Sequence, residues 1–238
     1  MSMRLLIVGR GRMGTLVESL APSYGFEVSG IVGSSDGNAA WSTGTRGDAD
    51  VAIDFTVPAA VPAMLPVLAA RGINVVIGTT GWQAHETAMR AVVAEHDIGV
   101  VVAPNFSLGM NLFQLVVEEA ARRFAPQPDF GAWIHELHHD QKKDAPSGTA
   151  LTIEHGMREA GFARPIDVSS TRAGFIPGTH TVGFDGPSET VELTLTVRDR
   201  AVFARGALVA ARWVIGRRGW FGMRDVLAGS PATAKGEL

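Results

Sequence analysis

Short apolar runs alternate with longer segments of mixed polarity through the first half of the chain. The runs that predict strands are residues 4–8, 26–32, 51–56, 73–80 and 98–104. The segments that predict helices are residues 15–24, 58–71 and 83–95. Strands that alternate with helices indicate a parallel sheet buried on both faces. Ligand-binding groups are then expected at the carboxyl ends of the strands.

The pattern changes after about residue 107. It predicts a helix at 109–125, a strand at 131–139 and a second helix at 149–160. Residues 180–184 and 189–198 then alternate at a period of two and are rich in valine, threonine and leucine. This alternation indicates an antiparallel or mixed sheet.

These patterns predict an α/β fold with two domains. A Rossmann-type dinucleotide-binding domain is expected to take residues 1–106 and 201–238, because the last apolar segment, FARGALVAARWVIG, returns to helical spacing. An inserted α+β domain with a mixed sheet is expected at residues 107–200.

Composition excludes several classes of protein. The 238 residues carry a formal net charge of −3, so no nucleic-acid-binding surface is expected. The absence of cysteine excludes disulfides, a thiolate zinc site and a cysteine nucleophile. No apolar run approaches the roughly 18 residues of a membrane span, and the N-terminus does not fit a signal peptide. We therefore expect a cytoplasmic protein with no membrane partner.

The glycine-rich stretch Gly9-Arg10-Gly11-Arg12-Met13-Gly14 follows the first predicted strand and opens the first helix. In that context G-x-G-x-x-G lets the backbone approach a pyrophosphate, to which the helix N-terminus presents free N–H groups. The motif therefore predicts dinucleotide binding. A glycine-rich turn without a ligand is the structural alternative.

The tip of the second predicted strand bears on which dinucleotide is bound. An NAD site usually has an acidic residue there, but this chain has Gly33 followed by Ser34 and Ser35. Serine hydroxyls and the two arginines of the glycine loop suit a 2′-phosphate better than a ribose diol. We therefore expect NADPH to be preferred over NADH, although Asp36 could turn inward and reverse the preference.

Residues 33–37 also fit the hydrolase motif G-x-S-x-G. That motif needs a strained turn between a strand and a helix, oxyanion donors and a suitably placed histidine. The second strand of a dinucleotide fold already accounts for these residues, so we reject the hydrolase interpretation.

Residues 135–139 read H-E-x-x-H, the signature of zinc proteases. A zinc site would need His135 and His139 on one helical face and a third ligand. The alternation around these residues instead predicts a strand, on which the two histidines would lie about 13 Å apart. Lysines at positions 142 and 143 further disfavour a dication, so we expect no metal site.

The same stretch can support chemistry without a metal. His138 and Lys142 offer a proton donor and a fixed cation, and Ser147-Gly148-Thr149 opens a helix whose N–H groups and hydroxyls can hold a carboxylate. An enzyme that reduces a small dicarboxylic acid needs both features. On the local residues alone, a polar strand end with Ser147 as an ordinary helix cap explains the pattern equally well.

Several longer motifs occur in order along nearly the whole chain. They are Gly11-Arg12-Met13-Gly14, Gly78-Thr79-Thr80-Gly81, Ala103-Pro104-Asn105-Phe106-Ser107, Glu136-x-His138-His139-x-x-Lys142-x-Asp144-Ala145-Pro146-Ser147-Gly148-Thr149-Ala150, Arg172-Ala173-Gly174 and Gly178-Thr179-His180. Together they resemble the 4-hydroxy-tetrahydrodipicolinate reductase family, long called dihydrodipicolinate reductase. The resemblance implies an NAD(P)H-dependent reductase of the diaminopimelate branch of lysine biosynthesis. It also implies a homotetramer whose inserted domain binds the small dicarboxylate substrate and forms the tetramer contacts.

The resemblance further implies roles for individual residues. His138 is the implied general acid, and Lys142 is an implied cation and alternative proton donor. The residues implied to hold the substrate carboxylates are His139, Ser147, Gly148 and Thr149. The residues expected along the cofactor, from the glycine loop and from the resemblance, are Gly9, Arg10, Gly11, Arg12, Met13, Gly14, Ser34, Ser35, Phe55, Thr56, Gly78, Thr79, Thr80, Pro104, Asn105, Phe106 and Ser107.

Two other functions fit the same residues. One is the reduction of a related cyclic imine dicarboxylate, because a carboxylate cradle would serve either substrate. The other is a non-catalytic dinucleotide-binding sensor that keeps the fold. The intact pair of His138 and Lys142 argues against the sensor.

Overall fold

The computed structural model describes residues 2–33 and 48–229 of the chain. The chain divides into two compact units. The first unit runs to Leu108 and resumes at Ala201, and the second spans Gly109–Arg200. None of the helices within the described ranges is long and apolar enough to cross a membrane.

Strands and helices alternate through most of the first unit, whereas the second unit ends in three consecutive strands. The strands are β1 (Met3–Val8), β2 (Phe26–Val32), β3 (Val51–Asp54), β4 (Asn74–Ile77), β5 (Gly99–Val102), β6 (Gly131–His138), β7 (Ile166–Arg172), β8 (Gly178–Asp185), β9 (Thr190–Val197) and β10 (Gly219–Phe221). The helices are α1 (Arg12–Leu20), α2 (Val61–Ala70), α3 (Glu86–His96), α4 (Leu108–Phe124), α5 (Gly148–Glu159), α6 (Ala201–Val214) and α7 (Met223–Ala228).

The first unit is built on a parallel sheet with the strand order β10-β5-β4-β3-β1-β2. All of β3 and most of β1 and β4 are buried, because helices cover both faces of the sheet. α1 and α6 pack on one face, and α2 and α3 pack on the other. The predicted Rossmann-type parallel sheet is therefore confirmed.

The register of this sheet brings the carboxyl ends of its central strands to one edge. Val8 at the end of β1 pairs with Asp54 at the end of β3. Asp54 pairs with Ile77 of β4, and Ile77 pairs with Val102 of β5. The loops after these four strands therefore start from the same edge, where ligands bind in open α/β sheets.

The second unit holds a sheet with the strand order β7-β6-β8-β9. β6 and β7 are parallel, whereas β8 is antiparallel to both β6 and β9, so the predicted mixed sheet is confirmed. α4 and α5 pack on one face of this sheet. The apolar contacts include Met110 and Val117 from α4, Ile153 and Met157 from α5, and Ile134 from β6.

The H-E-x-x-H stretch lies in extended conformation at the end of β6, as the alternation predicted. On one face of the strand, Nδ1 of His135 lies 2.8 Å from Oγ of Ser169 on β7. On the other face, Glu136 is fully buried together with Ile134. Successive residues of the motif therefore point to opposite faces of the sheet.

The sequence pattern did not indicate β7, β10 or α7. β7 reads IDVSSTR, in which polar residues outnumber apolar ones, and only Ile166 is buried. It forms a strand because its backbone pairs with β6 from Ala132↔Ile166 to His138↔Arg172. β10 has three residues and α7 has six, and such short elements give little periodic signal.

Candidate functional site

The glycine loop after β1 leaves open space at the start of α1. Gly9 has a φ of 114°, and a Cβ atom there would lie 2.4 Å from the carbonyl oxygen of Phe55. A Cβ atom on Gly14 would lie 1.9 Å from the carbonyl oxygen of Gly9. Gly11 precedes α1 without a side-chain cap, and a Cβ atom there would meet nothing within 4 Å. The first N–H groups of α1 therefore adjoin space that an anion can occupy.

Arg10 reaches from the glycine loop to the tip of β2. Its Nη2 donates to the carbonyl oxygen of Ile31 at 3.0 Å. A Cβ atom on Gly33 would lie 3.0 Å from Cδ of Arg10, so the arginine stem runs directly along this glycine. The structure thus brings a guanidinium to the position where ribose recognition usually takes place.

Two residues of the predicted cofactor site, Ser34 and Ser35, lie outside the described residues, as does Asp36. Arg12 and Met13, by contrast, form the first turn of α1. Arg12 is exposed, and Met13 packs against the core of the first unit.

Asp54, at the end of β3, is fully buried and joins two loops of the sheet edge. Its Oδ1 accepts from Oγ1 of Thr56 at 2.6 Å, and Oγ1 of Thr79 accepts from the backbone N–H of Thr56 at 2.7 Å. Burial raises the pKa of Asp54 to about 6, although hydrogen bonds from Thr56 and Thr79 lower it. Its Oδ2 atom is buried without a hydrogen-bond partner.

Phe55 and Gly78 fit closely together at the same edge. A Cβ atom on Gly78 would lie 2.1 Å from Cε1 of the Phe55 ring. The Phe55 ring also meets the ring of Phe106 edge-on, with 6.2 Å between their centroids. Phe106 is buried against α6, where a Cβ atom on Gly206 would lie 1.7 Å from its carbonyl oxygen. Phe106 therefore belongs to the hydrophobic core as well as to the residues predicted to lie along the cofactor.

The remaining predicted cofactor residues follow β4 and β5. Thr80 and Pro104 are exposed. Oδ1 of Asn105 accepts from the backbone N–H of Ser107 at 2.8 Å, and Ser107 is buried. The structure thus gathers the predicted cofactor residues that it describes at one edge of the sheet.

Glu136 is the centre of a hydrogen-bonded group in the second unit. Arg172, at the end of β7, places Nη2 2.6 Å from Oε1 and Nη1 3.0 Å from Oε2. The backbone N–H of Ser147 donates to Oε1 at 3.1 Å, and Nδ1 of His138 is hydrogen-bonded to Oε2. Burial raises the pKa of Glu136, but the hydrogen bonds from Arg172 and the other donors outweigh it and hold the pKa at about 2.

His138, the predicted acid, turns Nδ1 towards Glu136 and Nε2 towards Gly178. A Cβ atom on Gly178 would lie 3.0 Å from Nε2, so glycine leaves this nitrogen uncovered on that side. Burial lowers the pKa of His138. Glu136 opposes this effect, but the charges of Lys142 and Arg172 add to it, and the net shift is downward.

His180, on β8, lies beside His138 with 5.2 Å between the ring centroids. Its Nε2 is 3.1 Å from Oγ of Ser147, and this oxygen also accepts from the backbone N–H of Ala150 at 3.1 Å. Burial, together with the charge of His138, lowers the pKa of His180 to about 4. His180 is therefore neutral near pH 7.

Lys142 and Asp144 form an ion pair in the loop between β6 and α5. Nζ of Lys142 lies 2.8 Å from Oδ1 and 2.9 Å from Oδ2 of Asp144. The hydrogen bond from Lys142 lowers the pKa of Asp144. Oδ2 of Asp144 also accepts from the backbone N–H of Gly148 at 3.3 Å. A carboxylate of the protein thus contacts Lys142, the predicted catalytic cation, and one N–H group of the predicted carboxylate cradle.

The other predicted substrate-binding residues lie in or beside the same loop. Ser147 caps α5, since its Oγ accepts from the backbone N–H of Ala150, and Gly148 and Thr149 form the first turn. A Cβ atom on Gly148 would meet nothing within 4 Å. His139 directly follows β6, and its carbonyl oxygen accepts from the backbone N–H of Lys142 at 3.1 Å.

Glu136, His138 and His180 bring three potential metal-ligand atoms within 4.8 Å of one another. Arg172, however, donates to both oxygens of Glu136. Its positive charge, together with that of Lys142, disfavours a dication at this point. We therefore interpret the group as a hydrogen-bonded acid–base site.

The sequence motifs and the family resemblance imply no role for Glu136, Arg172 or His180. Because side chains alternate along a strand, Glu136 and His138 share one face of β6, and this signal could have identified the pair. Arg172 and His180 come from other strands. The pairings His138↔Arg172 and Glu136↔His180 bring them together, and no sequence spacing shows such pairings.

Two family models together match almost all of the chain. The model described as dihydrodipicolinate reductase, N-terminus, matches residues 3–106. The model described as dihydrodipicolinate reductase, C-terminus, matches residues 109–227.

Relatives named 4-hydroxy-tetrahydrodipicolinate reductase also align with most of the chain. The relative from Methanoculleus marisnigri is 42% identical over 193 residues, which cover 75% of this chain and 75% of the relative. The relative from Rhodopseudomonas palustris is 37% identical, and the alignment covers 94% of this chain and 96% of the relative.

Solved structures share the fold. A dipicolinate-bound dihydrodipicolinate reductase from Paenisporosarcina sp. TG-14 aligns with a TM-score of 0.79 and 22% identity, over 93% of this chain and 98% of that one. An amine dehydrogenase from Mycobacterium smegmatis aligns with a TM-score of 0.63 and 11% identity, over 93% of this chain and 94% of that one. At these identities the likeness shows the fold alone.

Proposed function

The chain belongs to the dihydrodipicolinate reductase family, and we infer that it reduces 4-hydroxy-tetrahydrodipicolinate to tetrahydrodipicolinate with NAD(P)H. This reaction lies in the diaminopimelate branch of lysine biosynthesis. The observation that carries the assignment is the match of both family models, at residues 3–106 and 109–227. We expect the step to take place in the cytoplasm, where NAD(P)H is regenerated.

A dinucleotide fits the residues at the carboxyl edge of the parallel sheet. The open space at Gly11 adjoins the N-terminus of α1, and we assign the pyrophosphate to this place. Gly78, Thr80 and residues 105–107, which follow β4 and β5, would line the nicotinamide side, and Phe55 and Thr56, which follow β3, would lie along the cofactor. When bound, NAD(P)H supplies the hydride for the reduction.

NADPH is the cofactor that these residues favour. An acidic side chain at the tip of the second strand would bind the ribose hydroxyls of NADH, but Gly33 stands there. Arg10 runs along Gly33, so its guanidinium stands near the position of a 2′-phosphate. A lower KM for NADH than for NADPH would contradict this preference.

The substrate is a small dicarboxylate, and the start of α5 offers a place for one of its carboxylates. Asp144 contacts Nζ of Lys142 and the backbone N–H of Gly148. We expect a substrate carboxylate to replace the Asp144 carboxylate at these two donors. Thr149 and His139 would complete the cradle, with Ser147 fixing the first turn of the helix.

His138 is the general acid in this account. Loss of the substrate hydroxyl group as water gives a conjugated cyclic imine, and hydride addition at ring carbon 4 moves electron density onto the conjugated system. His138 then donates a proton from Nε2, and its lowered pKa makes it a stronger acid. Lys142 stabilises the negative charge that develops before the proton arrives.

The second unit, Gly109–Arg200, is proposed to bind the substrate and to form the contacts of a homotetramer, as the family resemblance implies. β9 lies at one edge of its sheet and is exposed at many positions, including the apolar Val191 at 40% exposure. Equilibrium sedimentation should give four times the mass of the 25.2 kDa chain. A monomer at micromolar concentration would contradict this part of the proposal.

A coupled assay tests the proposed reaction. The preceding synthase forms the substrate in place, and NADPH or NADH oxidation is followed by absorbance. Oxidation should require both the synthase and its substrates, and it should be more efficient with NADPH. Cofactor binding without substrate-dependent oxidation would instead indicate a dinucleotide-binding sensor.

A further inference from the structure

We propose that Glu136, held by Arg172, is the positioning residue for His138. Through its second hydrogen bond, to Ser147, Glu136 also links His138 to the start of α5. The inference rests on the proposed reductase function, in which His138 is the proton donor. Glu136 acts through His138 and not on the substrate, because its side chain is fully buried.

The direction of the Glu136 carboxylate is fixed by donors on both of its oxygens. Oε1 accepts from Nη2 of Arg172 at 2.6 Å and from the backbone N–H of Ser147 at 3.1 Å. Oε2 accepts from Nη1 of Arg172 at 3.0 Å and is hydrogen-bonded to His138. Rotation of the carboxylate would break the two-point contact with the planar guanidinium. The oxygen that faces His138 is therefore held in place.

The charge of Glu136 determines which ring nitrogen of His138 carries a proton. With a pKa of about 2, Glu136 is ionised near neutral pH and can only accept hydrogen bonds. Neutral His138 must then carry its hydrogen on Nδ1, so a second proton binds at Nε2. Nε2 is also the nitrogen that Gly178 leaves uncovered. The transferable proton is thus held on the side of the ring away from Glu136.

The groups around His138 have opposing effects on its affinity for this second proton. Burial lowers the pKa of His138, and Lys142 from the following loop and Arg172 from β7 lower it further. His180, which faces the ring from β8, has its own pKa lowered to about 4 by burial and is neutral near pH 7. Glu136 supplies the opposing negative charge and hydrogen bond. Without Glu136, His138 would be protonated only at lower pH.

The same ion pair anchors the loop that carries the proposed carboxylate site. Oε1 of Glu136 accepts from the backbone N–H of Ser147, the cap of α5. Nη2 of Arg172 also donates to the carbonyl oxygen of Asp144 at 2.6 Å. Loss of Glu136 should therefore raise the KM for the dicarboxylate in addition to its effect on His138.

The test is the pH profile of kcat for Glu136→Gln in the coupled assay. Because a general acid is lost as pH rises through its pKa, the descending limb of the profile should move to lower pH by about 1–3 units. We also expect kcat to fall at least about 100-fold, since an amide permits the wrong tautomer of the histidine. Glu136→Asp keeps the charge, so the descending limb of its kcat profile should lie closer in pH to that of the wild type.

His135→Gln is the matched control, because His135 is the neighbouring residue of β6 and bonds Ser169 on the opposite face. The kcat of this variant should fall over the same pH range as that of the wild type. A Glu136→Gln enzyme with the wild-type limb would overturn the proposal, even if its melting temperature fell, since a purely structural role predicts that result. Absence of substrate-dependent turnover in the wild type would instead refute the reductase function.

A second measurement on the wild-type protein does not depend on turnover or on the folding of a variant. In 15N-histidine spectra, comparison with His138→Gln identifies the His138 signals among those of the seven histidines. Neutral His138 should show a protonated Nδ1 and an unprotonated Nε2. The opposite tautomer would overturn the proposal.

Discussion

A Cβ atom placed on Gly178 would lie 3.0 Å from Nε2 of His138. Gly178 begins β8, and its missing side chain leaves uncovered the ring nitrogen opposite the one that faces Glu136. The proposed acid therefore depends on two neighbours. The carboxylate orients the ring, and the glycine leaves room beside the proton-donating nitrogen.

Gly178→Ala should lower kcat. The added methyl group would contact both Nε2 and Cδ2 of His138, so the ring must shift by a few tenths of an ångström. Since a misplacement of about 1 Å can cost on the order of 100-fold in rate, the decrease in kcat should be smaller than that. Gly131→Ala is the matched control. Gly131 begins β6, and a Cβ atom there would meet only the carbonyl oxygen of Asp185, at 4.0 Å. Equal kcat values for the two variants in the coupled assay would contradict the role of Nε2.

Asp144→Asn should lower the KM for the substrate. The Asp144 carboxylate contacts Lys142 and the backbone N–H of Gly148, the donors assigned to a substrate carboxylate, and the amide would compete less well for them. An exposed ion pair is worth about 1 kcal/mol or less, so the decrease should be up to about fivefold. Asp140→Asn, in the same loop, controls for the change in net charge. A raised KM would show that Asp144 helps to bind the substrate.

Asp54→Asn should change how stability depends on pH. Burial raises the pKa of Asp54 from 3.8 to about 6, so the folded protein binds this proton more tightly than the unfolded chain does. The resulting stabilisation of the wild type is fully present below about pH 4 and is lost as the pH rises to about 6. Relative to the wild type, the variant should therefore be more stable at pH 7 than at pH 4.

Urea unfolding at the two pH values measures this difference. A pKa shift of about two units sets an upper limit of roughly 3 kcal/mol for the change between pH 4 and pH 7. Asp167→Asn, an exposed substitution on β7, controls for net charge. A stability difference between Asp54→Asn and the wild type that stays constant with pH would show that Asp54 does not titrate as its burial implies.

The parallel sheet and its ligand edge could be predicted from the sequence because their signals are local. Apolar runs such as 51–54 are buried on both faces, and the glycines of 9–14 stand directly between a strand and a helix. The strand at 131–138 was also predictable, since alternation outweighed the resemblance to a zinc motif. In each case the periodicity lies within a few consecutive residues.

The acid–base group was predictable only in part because its members are distant in sequence. His138 and Lys142 lie in one motif, but Arg172 reaches Glu136 from β7, a strand that the sequence pattern did not indicate. β7 depends on backbone pairing with β6 and not on its own apolar residues. Such pairing leaves no period in the sequence, so the partner that fixes Glu136 became evident only in the fold.

The most direct test of the account compares the wild type with His138→Gln in the coupled assay with NADPH. Removal of a general acid is expected to lower kcat by roughly 100-fold or more. NADPH binding, measured by fluorescence titration without substrate, should be unchanged because His138 belongs to the second unit. A His138→Gln enzyme that retains the wild-type kcat, or a wild type that oxidises no NADPH in response to the substrate, would contradict the account.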